Sequence, residues 1–249
     1  LFELGFPDDE KLVNDCFNKK NSITVVAAPT GEGKTTTLYS IIDYLNRPEI
    51  NITTIEDPVE IRIDGLNQIE VEAKTTFQDS LRTDIRQDPD IILVGEIRDA
   101  IEVITRLRKM GVSDYDISST LATSVSERLV RKVCPNCARE REFTLREKEI
   151  INKFAEKYGC KFDLDNAKTY DIVGCKKCNN TGYYGRIGIF EVLSITDTIR
   201  ELITRGASSI EIRKAALEEG YRPLIIDGIG KVISGITTLD ELNNKLVIY

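Results

Sequence analysis

Residues 28–35 read Ala28-Pro29-Thr30-Gly31-Glu32-Gly33-Lys34-Thr35, and the rest of the chain takes its meaning from them. Two glycines separated by one residue, then Lys-Thr, is the spacing of a loop whose backbone N–H groups turn inward around phosphate oxygens. Ahead of the loop, Ile23–Ala28 is a short, β-branched, apolar run. Behind it, Leu38, Ile41, Ile42 and Leu45 recur at helical spacing. Strand, glycine-rich turn and helix in that order put the positive helix N-terminus against an anion. Lys34 is then placed to reach the β- and γ-phosphates of ATP, and the Thr35 hydroxyl to bind Mg²⁺. Pro29, Thr30, Gly31, Glu32, Gly33 and Thr36 complete the candidate nucleotide site. The pattern departs only at its first position, where Ala28 replaces glycine. A chance glycine-rich turn is the bland alternative; the flanking strand and helix and the intact Gly-Lys-Thr weigh against it.

Outward from the loop, Asn51–Ile55 is a second strand candidate, stopped by Asp57-Pro58. A helix is expected from Thr76, with Asp79 in capping-box position and Phe77, Leu81 and Ile85 on one face, ended by Asp88-Pro89. Asp90–Val94 reads as a strand, and its four apolar residues Ile91–Val94 suit burial on both faces, as in a parallel α/β sheet. Ligands bind beyond the carboxyl ends of such strands. Glu56, Asp57 and Glu60 follow one strand and Glu96 follows the other, so each can hold Mg²⁺ or orient a water. Most loop glutamates are only exposed acids; Glu96, directly behind an apolar strand, stands apart from them. Arg82 and Arg86 share a helix face, with Arg98 near Glu96. They are candidates to neutralise charge during phosphoryl transfer. Salt bridges to Asp79, Asp84 or Asp90 are the alternative.

Cys134-Pro-Asn-Cys137 and Cys175-Lys-Lys-Cys178 form a second signal. Two Cys-x-x-Cys pairs can complete a closed, tetrahedral and therefore structural Zn²⁺ site. A redox pair or two disulfides are the alternatives. Residues 138–174 read as a small helical insertion whose core could use Phe143, Leu145, Ile150, Ile151 and Phe154. Cys16 and Cys160 have no partner spacing and read as ordinary small residues.

Bulk properties narrow the function classes. A chain of 249 residues, 41% hydrophobic and 30% charged, fits one or two globular domains. A net charge of −7 argues against broad nucleic-acid binding, which needs basic surface. No apolar run approaches the roughly 20 residues of a membrane span, so work at a membrane would go through partners. The absence of histidine removes the commonest general base and zinc ligand. Downstream, Gly188–Leu193 looks like a strand and the remainder helical. Thr198…Glu201, Ser208…Glu211 and Thr238…Glu241 are capping-box patterns, and Gly206 and Gly220 sit where helices stop. Leu239, Leu242 and Leu246 read as core packing.

Four stretches now occur in order: residues 28–35; Thr54-Ile-Glu-Asp-Pro-Val-Glu60; residues 81–99, which end Ile-Leu-Val-Gly-Glu-Ile-Arg-Asp99; and the paired cysteines followed by Thr181-Gly-Tyr-Tyr-Gly-Arg-Ile-Gly-Ile-Phe-Glu191. Together they resemble the secretion ATPase superfamily, in the branch of type IV pilus extension and type II secretion ATPases. The resemblance extends to Arg205-Gly-Ala-Ser. It implies an α/β, RecA-like P-loop core at residues 1–133, a zinc-binding insertion at 134–178, and the end of the core with a helical C-terminal region at 179–249. It carries Walker A, aspartate-box and Walker B roles onto residues 28–35, 54–60 and 91–99. Glu60 and Glu96 become the catalytic and Mg²⁺-site carboxylates, and which of them activates water stays open. The resemblance further implies a cytoplasmic homo-hexamer at the inner face of the cytoplasmic membrane, turning ATP hydrolysis into work on a polytopic platform protein. The retraction branch generally lacks the four cysteines, so extension or secretion is expected. A zinc-containing nucleic-acid translocase and a nucleotide-binding adaptor without turnover are the other classes.

Two departures stand out. The family carries a His box, Ser-Thr-Leu-His, after Walker B. Here Asp99 runs almost directly into Ile101-Glu-Val-Ile-Thr-Arg-Leu107, which matches sequence beyond that box. A few tens of residues are expected to be absent there, and a true deletion would cost the sheet a strand. Leu1-Phe-Glu-Leu-Gly-Phe6 corresponds to the lead into the ATPase domain, so the family's N-terminal domains are expected to precede it.

Overall fold

The protein is described from a computed structural model, which covers residues 1–7, 13, 23–29, 31–45, 53–56, 59, 61–64, 67–70 and 99–246. The helix expected from Thr76 and the strand expected at Asp90–Val94 lie outside the described residues. So do Thr30, Glu60, Arg82, Arg86 and Glu96.

The expected strand–turn–helix is present. β1 (Ile23–Ala27) leads through the glycine loop into α1 (Lys34–Leu45). Leu38, Ile41 and Ile42 of α1 are buried, as their spacing required. β2 (Thr53–Glu56) follows and pairs in parallel with β3 (Asn67–Glu70). After Asp99 come α2 (Glu102–Lys109), α3 (Asp114–Thr120) and a long strand, β4 (Leu121–Val133). β4 lies between β1 and the later strand β7 (Tyr183–Ser194), in the order β1-β4-β7. It runs parallel to β1, with Val25 opposite Ser124 and Ala27 opposite Ser126. Hydrogen bonds from Ile195 N–H to Ala122 and from Cys134 N–H to Gly182 join opposite ends of β4 and β7, so that pair is antiparallel.

The sequence did not announce β4. Thr123, Ser124, Ser126 and Glu127 interrupt its apolar residues, yet all four are fully buried. Polar residues at core positions erase the period from which a strand is read.

The chain divides into two compact units. The first comprises Leu1–Glu127 and Glu191–Tyr221. Its core joins Val25 and Ala27 of β1 to Val103, Ile104 and Leu107 of α2 and Ile117 of α3. Ile199 and Ile203 of α5 (Asp197–Thr204) and Ile212 of α6 (Ser209–Glu218) complete it. Arg108 stitches this layer: its Nε pairs with Asp114 at 2.6 Å while Nη1 donates to the Ala207 carbonyl at 2.8 Å. A cation at the carbonyl end of α5 complements the helix dipole.

The second unit comprises Arg128–Phe190 and Arg222–Tyr249. It holds β5 (Arg139–Arg141), α4 (Leu145–Lys157), β6 (Thr169–Asp171), α7 (Leu224–Ile233) and α8 (Leu239–Leu246), with β5 and β6 antiparallel. Phe143 and Ile151 are buried in its core, with Ile150 and Phe154 packed against them. Leu145 is not in that core: it is 81% exposed, the first helical residue after the cap Thr144. Leu239 and Leu242 are core residues, with Leu246 packed on them. Leu242 packs so closely on α7 that a Cβ at Gly228 would sit 2.4 Å from its Cδ1. A side chain there would force Leu242 to move.

The box at Ser208 forms as expected; at Thr238 only half of it does, the hydroxyl accepting the Glu241 N–H while the Glu241 carboxylate holds Arg131 instead of turning back to the cap. The expected cap at Thr198 is displaced. Thr196 caps α5 instead, accepting the Ile199 N–H, because Ile199 must face inward and this fixes where the helix starts.

Candidate functional site

The glycine loop leaves β1 through fully buried Ala28. Gly31 and Gly33 both take positive φ, 80° and 94°. L-residues with side chains avoid that region, so the two glycines are what the turn demands. The Glu32 N–H donates to the Pro29 carbonyl and the Thr37 N–H to the Gly33 carbonyl, closing the loop onto the first turn of α1. Lys34 and Thr35 open that helix and are half-buried, whereas Thr36 is exposed. The N-terminal N–H groups of α1 have no intrahelical acceptor.

Behind β2, the backbone of Ile61 is tied to the same helix. The Tyr39 hydroxyl of α1 accepts the Ile61 N–H at 3.1 Å and donates to the Ile61 carbonyl at 3.2 Å. Gln68 of β3 reaches the same place, donating to the Ile61 carbonyl at 2.9 Å and accepting the Ile63 N–H at 2.8 Å. Sequence reasoning passed over both. A tyrosine inside an amphipathic helix carries no signal until its partner is known.

The junction at Asp99 is likewise well anchored. Asp99 Oδ1 accepts the Ile101 and Glu102 N–H groups at 2.9 and 2.8 Å and so caps α2. Its Oδ2 pairs with Arg213 at 2.6 Å. The Ala100 N–H donates to buried Glu191 at 2.6 Å. Burial, with Glu191 beside it, pushes the Tyr221 phenol far above its ordinary range, so its hydroxyl keeps its proton.

The four paired cysteines converge. Cys134 and Cys137 lie in the turn after β4, and Cys175 and Cys178 bracket a short 3-10 turn. Their sulfurs all lie within 4.8 Å of one another, with Cys134–Cys175 at 4.0 Å, Cys137–Cys178 at 3.8 Å and Cys175–Cys178 at 3.7 Å. A tetrahedron with Zn–S bonds of about 2.3 Å has edges of about 3.8 Å, so the donor set fits zinc. The thiols are free, which sets aside the disulfide alternative for this structure. Backbone N–H groups of Cys175 and Gly182 donate to Cys178 Sγ at 3.1 and 3.2 Å, and Asn136 Nδ2 donates to Cys175 Sγ at 3.4 Å. Donors of this kind are what thiolate ligands need around them. The thiols do not titrate alike: Asn136 and the Cys178 backbone bring Cys175 down to about 6, and burial pushes Cys137 up to about 12. Cys160 is a packing residue against the second core. Cys16 lies outside the described residues.

No helix among the described residues is long and apolar enough to cross a membrane.

Comparison with known proteins places these features in context. The family model for type II/IV secretion system proteins matches residues 1–101 and 99–244. The two stretches meet at Asp99–Ile101, where the sequence departs from the expected pattern. The type IV pilus assembly ATPase PilB of Pseudomonas aeruginosa is 37% identical over 96% of this chain and 46% of its own length. The type II secretion system protein E of Aeromonas hydrophila is 35% identical over 94% of this chain and 50% of its own length. The chain thus spans about half the length of these relatives. Among solved structures, the pilus retraction motor PilT with bound ADP superposes with a TM-score of 0.58 at 21% identity, covering 100% of this chain and 66% of that one. At that identity the likeness speaks for the fold alone, an α/β, RecA-like one.

Proposed function

The chain belongs to the family of type II/IV secretion system proteins, and we propose that it is the ATP-hydrolysing part of a motor for type IV pilus assembly. The observation that carries this reading is the glycine loop: two residues of positive φ lead directly into a helix opened by Lys34 and Thr35. Loop amides and the α1 N-terminus cradle the phosphates, Lys34 balances the β/γ charge, and Thr35 with Glu96 holds Mg²⁺. Glu60 and Glu96 divide water activation and metal binding, and Arg82 or Arg86 neutralises charge developing on the transferred phosphoryl group. Cys134, Cys137, Cys175 and Cys178 hold one zinc ion, which braces two chain segments and leaves no open position for chemistry. The working form is a homo-hexamer at the cytoplasmic face of the inner membrane, pushing on a polytopic platform protein.

Type II secretion is the second reading, favoured by the comparable identity to protein E. A deletion strain separates the two, losing surface pili in one case and retaining a secreted protein in the other. For the chemistry, the complete protein should hydrolyse Mg-ATP and Lys34→Ala should lower turnover at least about a hundredfold. Wild-type turnover in that variant would remove the loop from the mechanism.

A further inference from the structure

Two short turns supply the four sulfurs, one at Cys134–Cys137 after β4 and one at Cys175–Cys178 before β7. Each turn is closed by its own backbone. The Cys137 and Ala138 N–H groups donate to the Cys134 carbonyl, and those of Cys178 and Asn180 to the Cys175 carbonyl. Such local bonds orient one pair of cysteines; they do not hold that pair against the other.

Two contacts cross between the turns. The Gly182 carbonyl accepts the Cys134 N–H at 2.9 Å, while the Gly182 N–H donates to Cys178 Sγ at 3.2 Å. This bridge is backbone, and a Cβ at Gly182 would stand 2.0 Å from Ile172 Cγ2. The second contact is a side chain. Asn136, inside the first turn, donates through Nδ2 to Cys175 Sγ of the second at 3.4 Å, across 39 residues of chain. Asn136 is exposed, so burial does not hold it there. Its chemistry suits the place. A metal-bound sulfur has lost its proton and can only accept a hydrogen bond, and a carboxamide nitrogen carries two donors. Four thiolates on one Zn²⁺ leave a net charge of about −2, which each N–H aimed at a sulfur helps to offset.

We propose that Asn136 is a positioning residue for the metal: by donating across the site to Cys175 Sγ it holds the second cysteine pair against the first and strengthens zinc retention. The inference rests on the reading of Cys134, Cys137, Cys175 and Cys178 as a zinc site. Asn136 supplies no ligand atom itself. It acts on the sulfur that does, and partners of this kind alter metal affinity by about 10- to 100-fold.

The test uses the complete protein, with zinc affinity measured by competition against a chromogenic chelator. Asn136→Ala should weaken zinc binding about tenfold. Asn136→Asp should weaken it about a hundredfold, because a carboxylate of the same shape offers no donor and sets a negative charge against the thiolate. Cobalt gives a readout that a merely structural role would not move. A hydrogen bond lowers the energy of the sulfur lone pair, so its loss should shift the sulfur-to-cobalt charge-transfer band of both variants to longer wavelength. The metal-free variants should melt where metal-free wild type does. Wild-type zinc affinity in both variants overturns the proposal. So does weakened affinity with an unshifted cobalt band, which would place the effect elsewhere than at sulfur. Failure of the premise looks different: wild-type zinc binding in Cys175→Ser overturns the four-cysteine site itself.

Discussion

Single residues carry the glycine loop, and their demands are conformational before they are chemical. Gly31 has φ +80° and nothing within 4 Å of where a Cβ would stand. Alanine there would meet no clash and only the left-handed penalty, about 1–2 kcal/mol. Gly220 has φ +95° and equally open surroundings at the end of α6. The two glycines therefore form a matched pair. Gly31→Ala and Gly220→Ala should lower thermal stability by similar amounts, but only Gly31→Ala should weaken ADP binding, by about tenfold. Equal ADP affinities in the two variants would mean that the loop's shape does not set nucleotide binding. Glycine spacing was fully legible in the sequence, because only glycine satisfies two left-handed positions so close together. The Tyr39 hydroxyl was not, because its partner is a backbone 22 residues away.

At the scale of elements, the capping motifs show where local chemistry suffices and where it does not. Ser208 and Glu211 form the reciprocal box that their spacing announces. Thr198 and Glu201 have the same spacing and do not, because α5 must start earlier to bury Ile199, Leu202 and Ile203. The cap on α4 gives a pH-dependent test. Glu147 closes a box with Thr144 and forms two hydrogen bonds with Arg141, both at 2.8 Å. The Arg141 guanidinium holds the Glu147 carboxyl well below its ordinary 4.5, at about 2, and the Thr144 N–H helps. A carboxyl with a lowered folded-state pKa contributes stability that is complete above its unfolded value. That contribution fades as pH falls through the folded one. Wild type should therefore exceed Glu147→Gln in stability at neutral pH, and the gap should close between pH 4.5 and about 2. Denaturant midpoints measured across that range check it; a gap that is constant with pH would exclude the ion pair as its source.

For the whole molecule, the long strands β4 and β7 matter most, since each contributes to both compact units. Their far ends carry the cysteine turns, with the Cys134 N–H bonded to Gly182. Four sulfurs at 3.7–4.0 Å from their nearest partners are spaced for one tetrahedral ion. Metal analysis should return one zinc per chain. Its removal by a strong chelator should lower the melting temperature and expose four thiols to modification together. A metal-free protein with an unchanged melting temperature would refute the structural role, because closed zinc sites contribute folding free energy directly.

The sequence by itself determined the glycine loop, its flanking strand and helix, the four-cysteine donor set and the α/β class. Each is written in local spacing, and local spacing needs only the chain's own stereochemistry. Tertiary structure alone decided the rest. It buried Thr123, Ser124, Ser126 and Glu127 inside β4 against every polarity cue, and left Leu145 in solvent. It also held Asp99 and Ala100 with Arg213 and Glu191, residues about a hundred positions away. Such choices depend on what the folded chain brings alongside, and a side chain's burial or charge partner is not encoded in its immediate neighbours. The loop at Gly31–Lys34 could be read from its own residues, whereas the hydrogen bonds that Tyr39 and Gln68 make to Ile61 depend on α1 and β3 being brought alongside it.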